Sequence, residues 1–126
     1  MILMGKKSVY FLLSVCLYGC FMFKTYYEYS IIAKNTGERL IKDVEIKSIN
    51  GFWHETGYLS KDASKGIIGP QSVAPNSTYT VIIERKDQQT TEHVIDLQDK
   101  IEKSFKGDII VLIDDGNNVS YELKMR

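Results

Sequence analysis

From Tyr26 onward, apolar and polar residues alternate with a period of two rather than 3.6, the pattern of half-buried β-strands. Tyr27, Tyr29, Ile31 and Ala33 share one face of a first predicted strand, and Asn35-Thr36-Gly37 supplies a turn. Leu40 to Ile49 predicts a second strand, with Val44 and Ile46 inward and Asp43, Glu45 and Lys47 outward, ended by Asn50-Gly51. Residues 52–76 read as a glycine-punctuated loop holding two short strands near Gly57–Leu59 and Gly66–Ile68. Alternation resumes at Thr78–Glu84, where Tyr79, Val81 and Ile83 share a face, and after the polar loop Lys86-Asp87-Gln88-Gln89 it returns over Thr90–Leu97.

The period changes once. Leu97, Ile101 and Phe105 are spaced four apart, predicting a short helix over Asp96–Phe105 that Gly107 stops. Asp108–Ile113 is almost continuously apolar, as a central strand would be. Asp114-Asp115-Gly116-Asn117-Asn118 is a hairpin turn of residues that tolerate positive φ, and the last strand places Val119, Tyr121, Leu123 and Met125 inward. Six to eight short strands with turns about every ten residues predict an all-β, immunoglobulin-like β-sandwich with one short helix.

The first thirty residues follow another logic. Lys6-Lys7 precede an apolar run from Ser8 to Gly19, and Cys20 follows. A basic start, a twelve-residue apolar stretch and a small residue before the cut describe a secretory signal. Extended to Phe23, the run reaches sixteen residues, short of the roughly 20 a spanning helix needs. Leu17-Tyr18-Gly19-Cys20 resembles the lipobox of bacterial lipoproteins. The resemblance implies cleavage after Gly19 and lipid attachment at Cys20, with residues 1–19 as signal, 20–25 as lipidated tether and 26–126 as the sandwich. An uncleaved single-pass anchor is the alternative, and ordinary cleaved secretion a third reading. With the lysines ahead of the run, either anchor places the domain outside the cytoplasm, on the periplasmic face. The position after Cys20 is Phe21 rather than an acidic residue, and enteric-type sorting would then favour the outer membrane over an inner-membrane anchor.

Charge and composition remove several function classes. The chain has 16 basic and 16 acidic residues and no basic stripe for phosphate neutralisation, so nucleic acid is not an expected partner. Arg85-Lys86, its short basic cluster, reads as a strand end. Cys16 and Cys20 are the only cysteines, so the domain beyond Cys20 must hold its core without disulfides. His54 and His93 lack metal-ligand spacing, and Asp108, Asp114 and Asp115 lack the pattern of a calcium loop. No nucleophile elbow or phosphate loop occurs, so neither a catalytic centre, a metal nor a cofactor is expected.

Phe52-Trp53-His54, with Tyr58 beyond Gly57, holds the single tryptophan. Tryptophan and tyrosine are enriched at binding hot spots, which makes Phe52, Trp53, His54 and Tyr58 the candidate partner-binding residues. The competing reading is that Trp53 plugs one end of the sandwich core. The order of these features, from the lipobox through Val44-x-Ile46, Asn50-Gly51, Gly57-Tyr58-Leu59, Gly69-Pro70, Thr80–Ile83, His93–Leu97 and Gly107–Ile110 to the Asp114-Asp115-Gly116 hairpin, resembles the small lipoproteins encoded beside toxic effectors of type VI secretion. The resemblance implies an immunity protein that neutralises a protein effector, a phospholipase being the prime case. A structural accessory of a secretion, pilus or envelope complex would carry the same anchor and fold.

Overall fold

The structure, a computed structural model, describes residues 26–97, 101 and 105–125. Within them the alternation becomes eight strands: β1 (Tyr29–Asn35), β2 (Asp43–Lys47), β3 (Trp53–Glu55), β4 (Ser64–Ile67), β5 (Thr78–Glu84), β6 (Thr91–Asp96), β7 (Gly107–Ile113) and β8 (Val119–Met125). They form two four-stranded sheets, ordered β4-β1-β7-β8 and β3-β2-β5-β6. Neighbouring strands are antiparallel except β1 and β7, which run parallel. The all-β sandwich is therefore present. Its strand order is its own: β1 and β2 lie in different sheets, whereas immunoglobulin constant domains keep their first two strands side by side. The Thr36–Lys42 connection is too long for a tight hairpin and crosses between the layers instead.

Each strand turns one face inward. Tyr29, Ile31 and Ala33, then Ile109, Val111 and Ile113, meet Val44, Ile46, Tyr79, Val81, Ile83 and Ile95 across the two layers. Burying a large aliphatic side chain is worth roughly 1.5–3 kcal/mol, so this interface carries the fold without cross-links. Phe52 closes one end, its ring edge-on to Tyr79 at 5.8 Å and 86°. Ile41 and Leu59 close the other through a two-residue bridge. The core tyrosines keep their hydroxyls satisfied: Tyr29 donates to the Val73 carbonyl at 2.8 Å and Tyr79 accepts from the Asn76 amide at 2.8 Å.

Several local expectations change. The second strand is shorter than Leu40–Ile49, because Arg39 bonds to the β7–β8 hairpin, Ile41 bridges Leu59 instead, and Ser48–Gly51 forms a tight turn. The segment expected as a loop from Phe52 contains β3, paired with β2 from Lys47↔Trp53 to Glu45↔Glu55. No strand forms at Gly57–Leu59; Gly57 takes φ 71° and Leu59 makes only the bridge to Ile41. Most of the helix expected over Asp96–Phe105 falls on residues 98–100 and 102–104, outside the described residues; of its remainder, Asp96 ends β6, and Leu97, Ile101 and Phe105 are buried. β7 is central as expected, between β1 and β8. Met125, expected inward, is 70 % exposed at the end of the edge strand β8.

At the Ile41 end a buried arginine ties three connections together. Arg85 lies at the end of β5 with its guanidinium donating to Asn117 Oδ1 at 2.6 Å and to the Asp114 carbonyl at 2.7 Å. Longer contacts reach the carbonyls of Arg39 and Leu40. Asn35, fully buried, donates to the carbonyls of Arg39 and Leu59 and accepts from the Gly37 amide. Asp115 accepts from the amides of Glu38 and Arg39, and Arg39 returns a bond to the Asp115 carbonyl.

Candidate functional site

The β2–β3 hairpin sets the geometry of the aromatic segment. Ser48 to Gly51 closes as a turn, with the Gly51 amide donating to the Ser48 carbonyl at 3.2 Å. Gly51 has φ 99°, a conformation that glycine adopts without a Cβ penalty. Asn50 anchors the turn by donating to the Ala74 carbonyl at 2.8 Å. Beyond it, period-two alternation separates neighbours that the sequence groups together. Phe52 and His54 face the core side, while Trp53 and Glu55 face solvent.

Phe52 is therefore the residue that plugs the end of the core, and it is not available to a partner. Trp53, for which the plug was the competing reading, is 57 % exposed. Its indole Nε1 donates to Glu45 Oε1 at 2.8 Å, which fixes the ring against the sheet. His54 is half-buried opposite Ile46, and its loss of water pushes its pKa down against the opposing pull of Asp43. Tyr58 is exposed but lies past Gly57, at the other end of the sheet from Trp53. The structure thus brings only Trp53 of the four candidates onto the outer face of the β3-β2-β5-β6 sheet.

Two residues that the sequence reading missed join it. Ile49, in the turn that joins β2 to β3, is 99 % exposed. Val94 on β6 is exposed at the far end of the row Trp53–Lys47–Thr80–Val94. An isoleucine inside a Ser-Ile-Asn-Gly turn, where polar residues are the rule, was the available clue to the first.

Around these apolar groups the face is acidic. Cross-strand pairing places Asp43, Glu45, Glu55, Glu84, Glu92 and Asp96 outward, with Lys47 among them. The Glu55 carboxyl is pushed above its ordinary range, first by desolvation and then by Asp43, Glu45 and Glu84. Among the described residues no group of three His, Cys, Asp or Glu side chains converges closely enough to hold a metal. The carboxylates are spread along strands, an arrangement suited to a broad charged surface rather than a point cation.

The remaining sequence candidates have structural partners. Asp114 accepts from the amides of Gly116 and Asn118 and from the Asn118 side chain, so it caps the β7–β8 turn. His93 faces Val81 and is half-buried at the sheet edge. Its Nε2, like Thr91 Oγ1, is buried without a hydrogen-bond partner among the described residues. Cys20, the residue expected to carry lipid, lies outside the described residues, as does the whole of the expected signal and tether. Among the described residues no helix is long and apolar enough to cross a membrane. No protein-family model matches the chain, and no curated protein matches it.

Proposed function

We propose that the chain is a membrane-tethered lipoprotein whose sandwich binds and neutralises a toxic secreted effector, acting as an immunity protein on the periplasmic face. The observation that carries this reading is the presentation of Trp53 and Ile49. Two large apolar side chains stand in solvent on a hairpin braced by backbone and side-chain hydrogen bonds. Neither side chain is needed for the core, which Phe52 and Tyr79 already close at that end.

A rigid aromatic anchor loses little conformational freedom on docking, and such anchors dominate interface energetics. The carboxylates around Trp53 form a charged rim that steers a basic surface and rejects an acidic one. Lipid at Cys20 would hold the domain beside the bilayer that a phospholipase attacks, raising its effective concentration there. Inhibition requires only that the docked sandwich cover the effector's cleft.

Two measurements test the proposal. Deleting the gene should sensitise cells to attack by an armed sibling, and survival of the deletion strain would sink the immunity reading. Purified full chain should inhibit the effector encoded beside it, and Trp53→Ala should weaken that inhibition at least tenfold, about 1.4 kcal/mol or more. Processing is read separately: Cys20→Ala should accumulate unprocessed precursor and take up no radiolabelled fatty acid.

A further inference from the structure

At the opposite end of the sheet from Trp53, a groove of about 360 Å³ is lined by Leu40, Lys42, Tyr58 and Lys86. Its walls are dictated by the backbone. Ile41 and Leu59 exchange two hydrogen bonds, at 3.0 and 2.8 Å, and both side chains are fully buried. Period-two alternation then turns Leu40 and Lys42 outward on one side and Tyr58 outward on the other. The Lys42 amide donates to the Glu84 carbonyl at 2.8 Å, docking this wall against the end of β5. Arg85 next along is buried, so Lys86 is turned outward and completes the rim. Lys65 holds the Tyr58 wall by donating to its carbonyl at 2.6 Å.

The chemistry of this groove differs from that of the face beside it. Its floor is apolar, with Leu40 and Tyr58 both at least half exposed. Its rim carries the ammonium groups of Lys42 and Lys86, with Glu84 beside Lys42 and Asp43 bonded to the Gly57 amide behind the Tyr58 wall. Lys42 pairs with Glu84 at 3.3 Å, but both side chains are about half exposed. Such a pair is worth at most about 1 kcal/mol and yields to a better-placed anion. A site of this size, at the low end of the range for ligand pockets, admits one or two side chains.

We infer that this groove receives an acidic peptide segment of the protein partner, an aromatic or large aliphatic side chain seated between Leu40 and Tyr58 and an adjacent carboxylate between Lys42 and Lys86. The inference rests on the partner-binding reading for the source of the segment.

The groove can be tested without knowing the partner. The full chain, labelled with nitrogen-15, is titrated with three capped dipeptides that share an apolar anchor: acetyl-Phe-Glu-amide, acetyl-Phe-Gln-amide and acetyl-Phe-Lys-amide. The glutamate peptide should give saturable shifts at the amides of Leu40, Lys42, Tyr58 and Lys86. The glutamine peptide should bind at least fivefold more weakly, and the lysine peptide should not saturate. The double variant Lys42→Glu, Lys86→Glu should reverse the order while leaving shifts distant from the groove in place. Equal affinity for all three peptides, or shifts centred elsewhere, would overturn the inference. Saturation by octanoate with no peptide binding would overturn it in favour of a lipid-derived carboxylate. Failure to protect cells while the glutamate peptide still binds would refute the immunity reading and leave the groove standing; protection without peptide binding would do the reverse.

Discussion

Replacing Arg85 should unfasten one end of the sandwich. The residue is only 5 % exposed, and burial and the nearby Arg39 lower its pKa while Asp115 and Asp114 hold it up. Two of its hydrogen bonds are short, 2.6 Å to Asn117 Oδ1 and 2.7 Å to the Asp114 carbonyl. The contacts to Arg39 and Leu40, at 3.3 and 3.5 Å, are too long to add much. Hydrogen bonds to charged groups contribute roughly 1.5–3 kcal/mol each. Arg85→Met keeps most of the apolar stem but leaves two acceptors unmet, and water entering from the adjoining groove replaces part of the loss. The expected cost is about 3 kcal/mol. Arg85→Lys restores a charge without the planar fork and should recover only about 1 kcal/mol of it. Lys86→Met, one residue along and exposed, should stay within about 0.5 kcal/mol of the parent. Equilibrium urea unfolding of the full chain, followed by circular dichroism, reads all three, and an unchanged slope with denaturant shows that only stability has moved. A loss below 0.5 kcal/mol for Arg85→Met, or equal losses at Arg85 and Lys86, would refute the argument that the guanidinium fastens this end.

The two adjacent aromatics should separate folding from binding. Phe52→Ala is expected to cost about 3–5 kcal/mol of stability, whereas Trp53→Ala should cost under about 1 kcal/mol and lose partner binding instead, as thermal unfolding and an inhibition assay would show. Gly66→Ala places a Cβ against the Ile31 carbonyl and the Ile32 Cα, both backbone, and should cost about 1–3 kcal/mol by forcing β4 away from β1, measured by urea unfolding. Asp115 is held below the ordinary carboxylate range by the amides of Arg39 and Glu38, and Asp114 by the Asn118 side chain and amide. Their contribution is therefore complete above the unfolded value near pH 3.8 and is lost as pH falls through the lower native values, so Asp115→Asn should flatten the acid limb of a stability–pH curve.

Long runs of alternating or continuously apolar residues were enough to place strands. Thr78–Glu84 and Asp108–Ile113 show clean burial patterns in the structure, and the Asp114–Asn118 turn sits where its residue types demanded. Partner strands and sheet order were not legible, because they depend on contacts between β1 and β7, or β2 and β5, that lie far apart along the chain. Arg85 stands at a strand end as expected, but its burial was not legible, for the same reason. Its acceptors come from Arg39, Leu40, Asp114 and Asn117, and nothing local to Arg85-Lys86 distinguishes a buried fork from a solvated strand end.

The aromatic segment shows a different limit. β3 has only three residues between Gly51 and Gly57, too few for a convincing period, so Phe52, Trp53 and His54 looked like one cluster. Read as a strand, the same residues divide by parity: Trp53 shares its face with Glu55, and Phe52 shares its face with His54 and the buried Ile46. A tryptophan placed among Glu45, Glu55 and Lys47 contradicts the pattern that builds the core, as does an isoleucine at a turn tip. Sequences that fold well agree with their structure at every level, and departures from that agreement concentrate where another demand acts on the residue. Phe52 and Tyr79 already satisfy the demand of packing at this end. The core therefore does not account for Trp53 and Ile49, and under the proposed function the docked effector is what covers them.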